Sequence, residues 1–166
     1  MIYKEREQPF QISLMQAMKK RLYLSEKDNQ KLLKAIKGFE GECYFDSLTR
    51  NITSDCLILN DLLLEINDSV FQIDSLIITG EGITVYEVKN YEGNYVYEEG
   101  ALKRMHNPLL FLNPSDQLKK TLILFKQWLS LERYNFNVKG YLVFVNDHFS
   151  LFQAPINKGV LHNYQA

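Results

Sequence analysis

With 166 residues, the chain is long enough for one domain with its own core and too short for two of ordinary size. A composition of 46% hydrophobic and 23% charged residues, with ten Tyr and ten Phe, excludes disorder and predicts an aromatic-rich core. A net charge of -1 excludes a protein that coats nucleic acid by bulk attraction, so any such binding must come from a local basic surface or through bound metal ions.

The chain opens with Lys4, Glu5, Arg6 and Glu7 and has no apolar leader core. No run of about 18 apolar residues follows anywhere, so the expectation is a soluble cytoplasmic protein without membrane contact. Cys43 and Cys56 lack zinc-type spacing and are expected to be two reduced, buried thiols.

Ile12, Met15, Met18 and Leu22 recur at helical spacing and predict a first helix, with Pro9 near its start. Ser25, three residues before Asp28, predicts the N-cap of a second helix that ends near Gly38 and Gly41. Tyr44, Phe45 and Leu48 then predict a third helical segment with Glu42 in its first turn. Charge is uneven here: Lys19, Lys20, Arg21, Lys27, Lys31, Lys34 and Lys37 face only Glu26 and Asp28, which fits solvated helix faces.

Cys56 to Ile66, Val70 to Thr79 and Ile83 to Lys89 are aliphatic runs separated by breakers and predict antiparallel strands, the last two joined at Gly80-Glu81-Gly82. Asn113-Pro114-Ser115-Asp116 predicts a helix start, followed by the apolar stripe Leu118, Leu122, Phe125 and Leu129. Tyr141 to Val145 predicts a strand buried on both faces, and thus parallel to its neighbour. Residues 151 to 166 hold Pro155 and Gly159 and carry no capping pattern.

The chemistry concentrates in the two central strands. A period of two puts Ile83, Val85, Glu87 and Lys89 on one face, and Val70, Gln72, Asp74, Leu76 and Ile78 on one face of the strand before. Acids and a Lys thus interrupt faces that ought to be core. A hairpin centred on Glu81 pairs Asp74 with Val88, and a bulge at Gly80 or Gly82 would instead set Asp74 opposite Glu87. Two like charges so placed destabilise a sheet unless a cation lies between them. Mg²⁺ or Mn²⁺ fits, since both prefer oxygen ligands. The competing reading is a cross-strand salt bridge of Lys89 on a solvated face.

The run from Gln72 to Gly93, QIDSLIITGEGITVYEVKNYEG, resembles the signature of nuclease-related (NERD) domains, a branch of the PD-(D/E)XK nuclease superfamily. Gly41-Glu42 upstream and Asn113-Pro114 followed by Gln117 downstream match in order, so the resemblance covers roughly residues 38 to 147. It implies an α/β fold with a mixed central sheet flanked by helices, restriction-endonuclease-like. Residues 1–38 would be an N-terminal helical extension, 39–150 the nuclease-related domain and 151–166 a C-terminal tail. It also implies Asp74 and Glu87 as metal ligands with the Val88 carbonyl as a third, Lys89 in the catalytic position, Glu42 as auxiliary acid and Gln117 as a polar helix residue facing the site.

The function expected from this is Mg²⁺- or Mn²⁺-dependent phosphodiester hydrolysis on DNA, or on RNA, with Lys119, Lys120 and Lys126 lining the approach. A nucleic-acid or protein-binding module that no longer cuts is the alternative, and a purely structural domain the third. Asn90, Tyr91 and Gly93 are expected to end the strand rather than touch substrate. His106, His148 and His162 have no partner pattern, and Tyr95 to Leu112 carries no recognisable substrate loop.

Overall fold

The computed structural model describes residues 1–98, 101–154 and 159–162, leaving aside the side chains of 107–112 and 160–162. Pro155, residues 163–166 and the His162 side chain therefore lie outside it. In chain order, β1 (Ile2–Lys4) precedes α1 (Phe10–Arg21) and α2 (Glu26–Thr49). Next come β2 (Cys56–Ile66), β3 (Ser69–Thr79), β4 (Gly82–Lys89), β5 (Gly93–Glu98), β6 (Ala101–Arg104) and β7 (Asn107–Leu112). The chain continues through α3 (Pro114–Leu131), β8 (Val138–Phe144), β9 (Phe149–Phe152) and β10 (Val160–His162).

Pro9 stands at the N-cap of α1, where its missing N–H costs nothing. Ser25 caps α2 by accepting from the Asp28 N–H at 3.1 Å. The expected break at Gly38 and Gly41 does not occur: α2 is one helix of 24 residues. Each glycine costs about 1 kcal/mol in a helix interior, which the packing of Leu32 and Phe45 on either side outweighs. Gly41 is there for a close approach, because a Cβ on it would lie 2.5 Å from the Asn90 Cβ. Glu42 consequently sits mid-helix, not in a first turn.

The main sheet has six strands in the order β1-β2-β3-β4-β8-β10. β2, β3 and β4 run antiparallel, and β8 lies parallel to β4. It is the mixed central sheet expected, flanked by α3 on one face and α2 on the other. Leu118, Phe125 and Leu129 of α3 pack with Leu76, Ile83, Val85 and Leu142. On the opposite face Phe45 of α2 packs with Val88, Val143 and Val145. A second sheet, β7-β6-β5-β9, draws three of its strands from the stretch in which the sequence shows no recognisable loop; β9 spans the expected boundary at 150 and β10 falls in the expected C-terminal tail. Cys56 is buried as expected, whereas Cys43 is exposed on the outer side of α2.

Two details of the sheet depart from simple alternation. β3 and β4 are joined by a two-residue loop, Gly80-Glu81, with Thr79 paired to Gly82 and Ser75 to Tyr86. That register continues to Asp74 opposite Glu87 without any bulge. Between the pairs Asn60↔Ser75 and Leu62↔Ile73, Asp61 and Asp74 do not pair, and Asp61 takes a left-handed φ of 53°. Across this break the strands exchange faces. Phe71 and Ile73 join the same core as Leu76 and Ile78, while Val70 is exposed, so the expected face of Val70, Gln72, Asp74, Leu76 and Ile78 is not a single one.

Candidate active site

The site forms where the β3–β4 ladder ends. Asp74, 7% exposed, uses its Oδ2 to accept the Val88 N–H at 2.8 Å, so its side chain takes over where backbone pairing stops. Glu87, 2% exposed, shares the α3 face of β4 with Ile83 and Val85. The Lys89 ammonium donates to Glu87 Oε1 at 2.6 Å and to Gln117 Oε1 at 3.1 Å. Gln117 closes the first turn of α3, which Pro114 starts at N1. Asn113 does not cap through its oxygen; its amide donates to Asp116 Oδ2 at 2.6 Å.

A feature absent from the expectations comes from the N-terminal segment. Arg6, with 3% of its side chain exposed, donates to Glu42 Oε2 at 2.7 Å, to Asp46 Oδ2 at 2.8 Å and Oδ1 at 3.2 Å, and to the Asp74 carbonyl at 2.7 Å. Lys4 donates to the carbonyls of Asn60 and Asp61, both at 2.7 Å. The two side chains satisfy backbone oxygens left over at the sheet break, which buried carbonyls require. Only the alternation of charge at Lys4, Glu5, Arg6 and Glu7 hinted at a strand with inward-facing cations.

Burial pushes Glu87 up to about 7, with repulsion from Asp74 adding to it and the Lys89 contact opposing it. Glu42 is also pushed up to about 7 by burial and by Asp74, against the pull of Arg6. Asp74 is raised by burial, although its bond from Val88 and the charges of Lys89 and Arg6 lower it. Burial works to depress Lys89, but Glu87 and Asp74 outweigh it and hold the ammonium above its ordinary value.

The sequence-expected residues are thus brought together unequally. Asp74, Glu87, Lys89 and Gln117 meet where the C-terminal end of β4 passes the middle of β3, the Val88 backbone among them. Glu42 lies on α2 and is engaged by Arg6. Among the described residues no three His, Cys, Asp or Glu side chains converge as a metal cage. Two buried carboxylates with raised proton affinity still fit a divalent ion, since Mg²⁺ is commonly held by one or two carboxylates and completes its shell with water. Of the lysines expected on the approach, Lys119 is paired with Asp116 at 3.0 Å. Lys126 instead lines a cleft with Arg133 and Asn137 at the far end of α3.

Behind the site, the Asn90 amide donates to the Lys37 carbonyl at 2.8 Å, and Asn146 donates to Asn90 Oδ1 at 2.7 Å. This tethers the end of β4 to α2 and to the loop after β8. Asn90 acts as the strand terminator expected of it. A cleft of about 600 Å³ between α3 and β8 holds Ser115, Lys119, Lys139 and Tyr141 but none of Asp74, Glu87 or Lys89. The buried carboxylates with raised proton affinity lie outside that cleft.

The nuclease-related domain family model matches residues 37–145. The chain belongs to the nuclease-related domain family. None of the characterised proteins compared with it matches. Among the described residues no helix is long and apolar enough to cross a membrane.

Proposed function

We propose that the protein is a divalent-metal-dependent nuclease that hydrolyses phosphodiester bonds in DNA. The observation that carries this reading is the single ammonium of Lys89 held between Glu87 on its own strand and Gln117 on α3, beside the anchored carboxylate of Asp74. Asp74 and Glu87, with the Val88 carbonyl, would hold Mg²⁺ or Mn²⁺. Such an ion supplies the Lewis acid that polarises a phosphoryl oxygen and acidifies water.

The chain's own groups do the rest. In the hydrolysis, water adds to phosphorus and one ester P–O bond breaks, leaving a phosphomonoester and a hydroxyl. Lys89 has three N–H donors, two of them committed to Glu87 and Gln117, so one is left for a phosphate oxygen as negative charge builds there. Gln117 fixes the direction of that donor, and the N-terminus of α3 adds a favourable dipole for a phosphate. An exposed, unpaired Cys43 fits a reducing compartment, in line with a cytoplasmic enzyme.

Incubating the chain with circular and linear DNA, and with RNA, in Mg²⁺, Mn²⁺ or EDTA tests the reading. Metal-dependent cleavage lost in Asp74→Ala and Glu87→Ala is the expected outcome. Cleavage that persists in both variants, or in EDTA, would sink it.

A further inference from the structure

Arg6 lies outside the span matched by the family, yet it is the most deeply committed cation at the site. Its guanidinium faces four oxygens from three places: Glu42 Oε2, both Asp46 carboxylate oxygens and the Asp74 carbonyl, at 2.7 to 3.2 Å. An all-oxygen shell of this kind, carboxylates plus a backbone carbonyl, is what a hard divalent cation also seeks.

Charge arithmetic decides between one ion and two. Once deprotonated, as metal binding requires, Glu42, Asp46, Asp74 and Glu87 carry four negative charges, and Arg6 and Lys89 return two positive ones. Asp61, near enough to act on both Glu42 and Asp74, is offset by Lys4 at its own carbonyl. The deficit of two charges is met by one divalent ion and overshot by a second.

We propose that Arg6 is a resident cation standing in the place of a second metal, so that this site takes a single divalent ion on Asp74 and Glu87 while Glu42 serves Arg6. The proposal rests on the nuclease reading above. Arg6 is then a positioning residue: it locks α2 to the Asp74 backbone and keeps the Asp74 carboxylate directed at β4. The N-terminal segment is thereby part of the catalytic unit, through β1 and the Lys4 and Arg6 contacts that follow from it.

Titrating the full chain with Mn²⁺, and reading free Mn²⁺ by its paramagnetic resonance, tests this without any substrate. The parent is expected to bind one Mn²⁺. Arg6→Gln should bind two, the new one on Glu42 and Asp46, and Arg6→Lys, which keeps the charge, should return to one. Glu42→Gln should still bind one ion, and with the loss of a single nearby charge its affinity should fall by less than about tenfold. Because Arg6→Gln strips the buried Asp46 and the half-buried Glu42 of their partner and could fail to fold, the Glu42→Gln titration stands on its own. Two ions on the parent, one on a folded Arg6→Gln chain, or an affinity loss of about tenfold or more in Glu42→Gln overturns the proposal. If binding is lost in Asp74→Ala and equally in Glu42→Gln, the nuclease reading survives and only the role of Arg6 falls. No Mn²⁺ on the parent at all removes both.

Discussion

The carboxylate of Asp74 accepts the backbone N–H of Val88 at 2.8 Å, on the strand that carries Glu87 and Lys89 to either side of that residue. Asp74 therefore has a structural task as well as a charge, and substitution separates them. In Asp74→Asn the amide oxygen can still accept that bond while the like charge beside Glu87 disappears, so the metal-free protein is expected to melt higher near pH 8. Asp74→Ala orphans a buried N–H, which costs about 1–3 kcal/mol. Thermal melts of both variants in EDTA check this, and a lower melt for Asp74→Asn than for the parent would mark the carboxylates as a structural network.

The stability of the metal-free protein should depend on pH in a defined direction. Glu87 and Glu42 are each raised from 4.5 to about 7 on folding. The native state then binds more protons than the unfolded chain, so this contribution is fully present below about pH 4.5 and is lost as pH rises through about 7. The slope is about 1.4 kcal/mol per pH unit for each proton of difference. Urea unfolding in EDTA across this range is expected to give a falling free energy, and a flat or rising profile would contradict the burial of these carboxyls.

Divalent metal should reverse that trend. At a free concentration near 100 times the dissociation constant, Mg²⁺ or Mn²⁺ is expected to stabilise the parent by about 2.7 kcal/mol. The gain should shrink toward pH 5, where protons compete for Glu87. Asp74→Asn should gain much less. Melts with and without Mn²⁺ at two pH values distinguish this from a non-specific salt effect, which would move both proteins alike.

Lys89→Met should lower the cleavage rate by about 10² to 10³ while leaving Mn²⁺ affinity close to that of the parent. The same change removes the only ion-pair partner of Glu87 among the described residues, so Glu87 is expected to hold its proton to a still higher pH. Rate and metal titration are measured separately, and an undiminished rate takes Lys89 out of the reaction.

The two glycines inside α2 should respond in opposite ways to alanine. A Cβ added at Gly38 would meet nothing within 4 Å, so Gly38→Ala is expected to stabilise by about 0.8–1 kcal/mol. At Gly41 the same methyl would meet Asn90 Cβ at 2.5 Å and must push the end of β4 away from α2. A loss of stability together with slower cleavage is expected for Gly41→Ala, and a gain like that of Gly38→Ala would show that β4 has room to move.

Much of this was legible in the sequence because it obeys local rules. Ser25 and Asp28 mark the start of α2, Pro114 the start of α3, and the alternation from Ile83 to Lys89 the inward face of Glu87. The position of Asp74 opposite Glu87 was also legible, although a two-residue loop sets it and no bulge is needed. What escaped depends on partners remote in the chain. Gly38 and Gly41 resemble helix breakers because only contact with Asn90 explains one of them. The exchange of faces at Asp61 and Asp74 violates the period of two, and Lys4 and Arg6 sustain it from more than fifty residues away. Tyr95 and Tyr97 alternate with Val96 in a strand-like way, but a short second sheet needs β9 to complete it.

The pairing of β4 with β8 has a kinetic side. The hairpin that carries Asp74 and Glu87 closes through a two-residue loop and can form early, whereas Glu87 gains its other neighbour only when Leu142 arrives, after β5 to β7 and α3 have been threaded between. Parallel pairing over such a separation is slow, because loop-closure entropy is lost before the contacts repay it. During refolding the two carboxylates should be adjacent but still wet, with strand signals recovering before Trp128 on α3 reports a closed core. The completed surroundings of Glu87, with Leu142 on one side and Gln117 of α3 beyond Lys89, are then among the last features a refolding chain acquires.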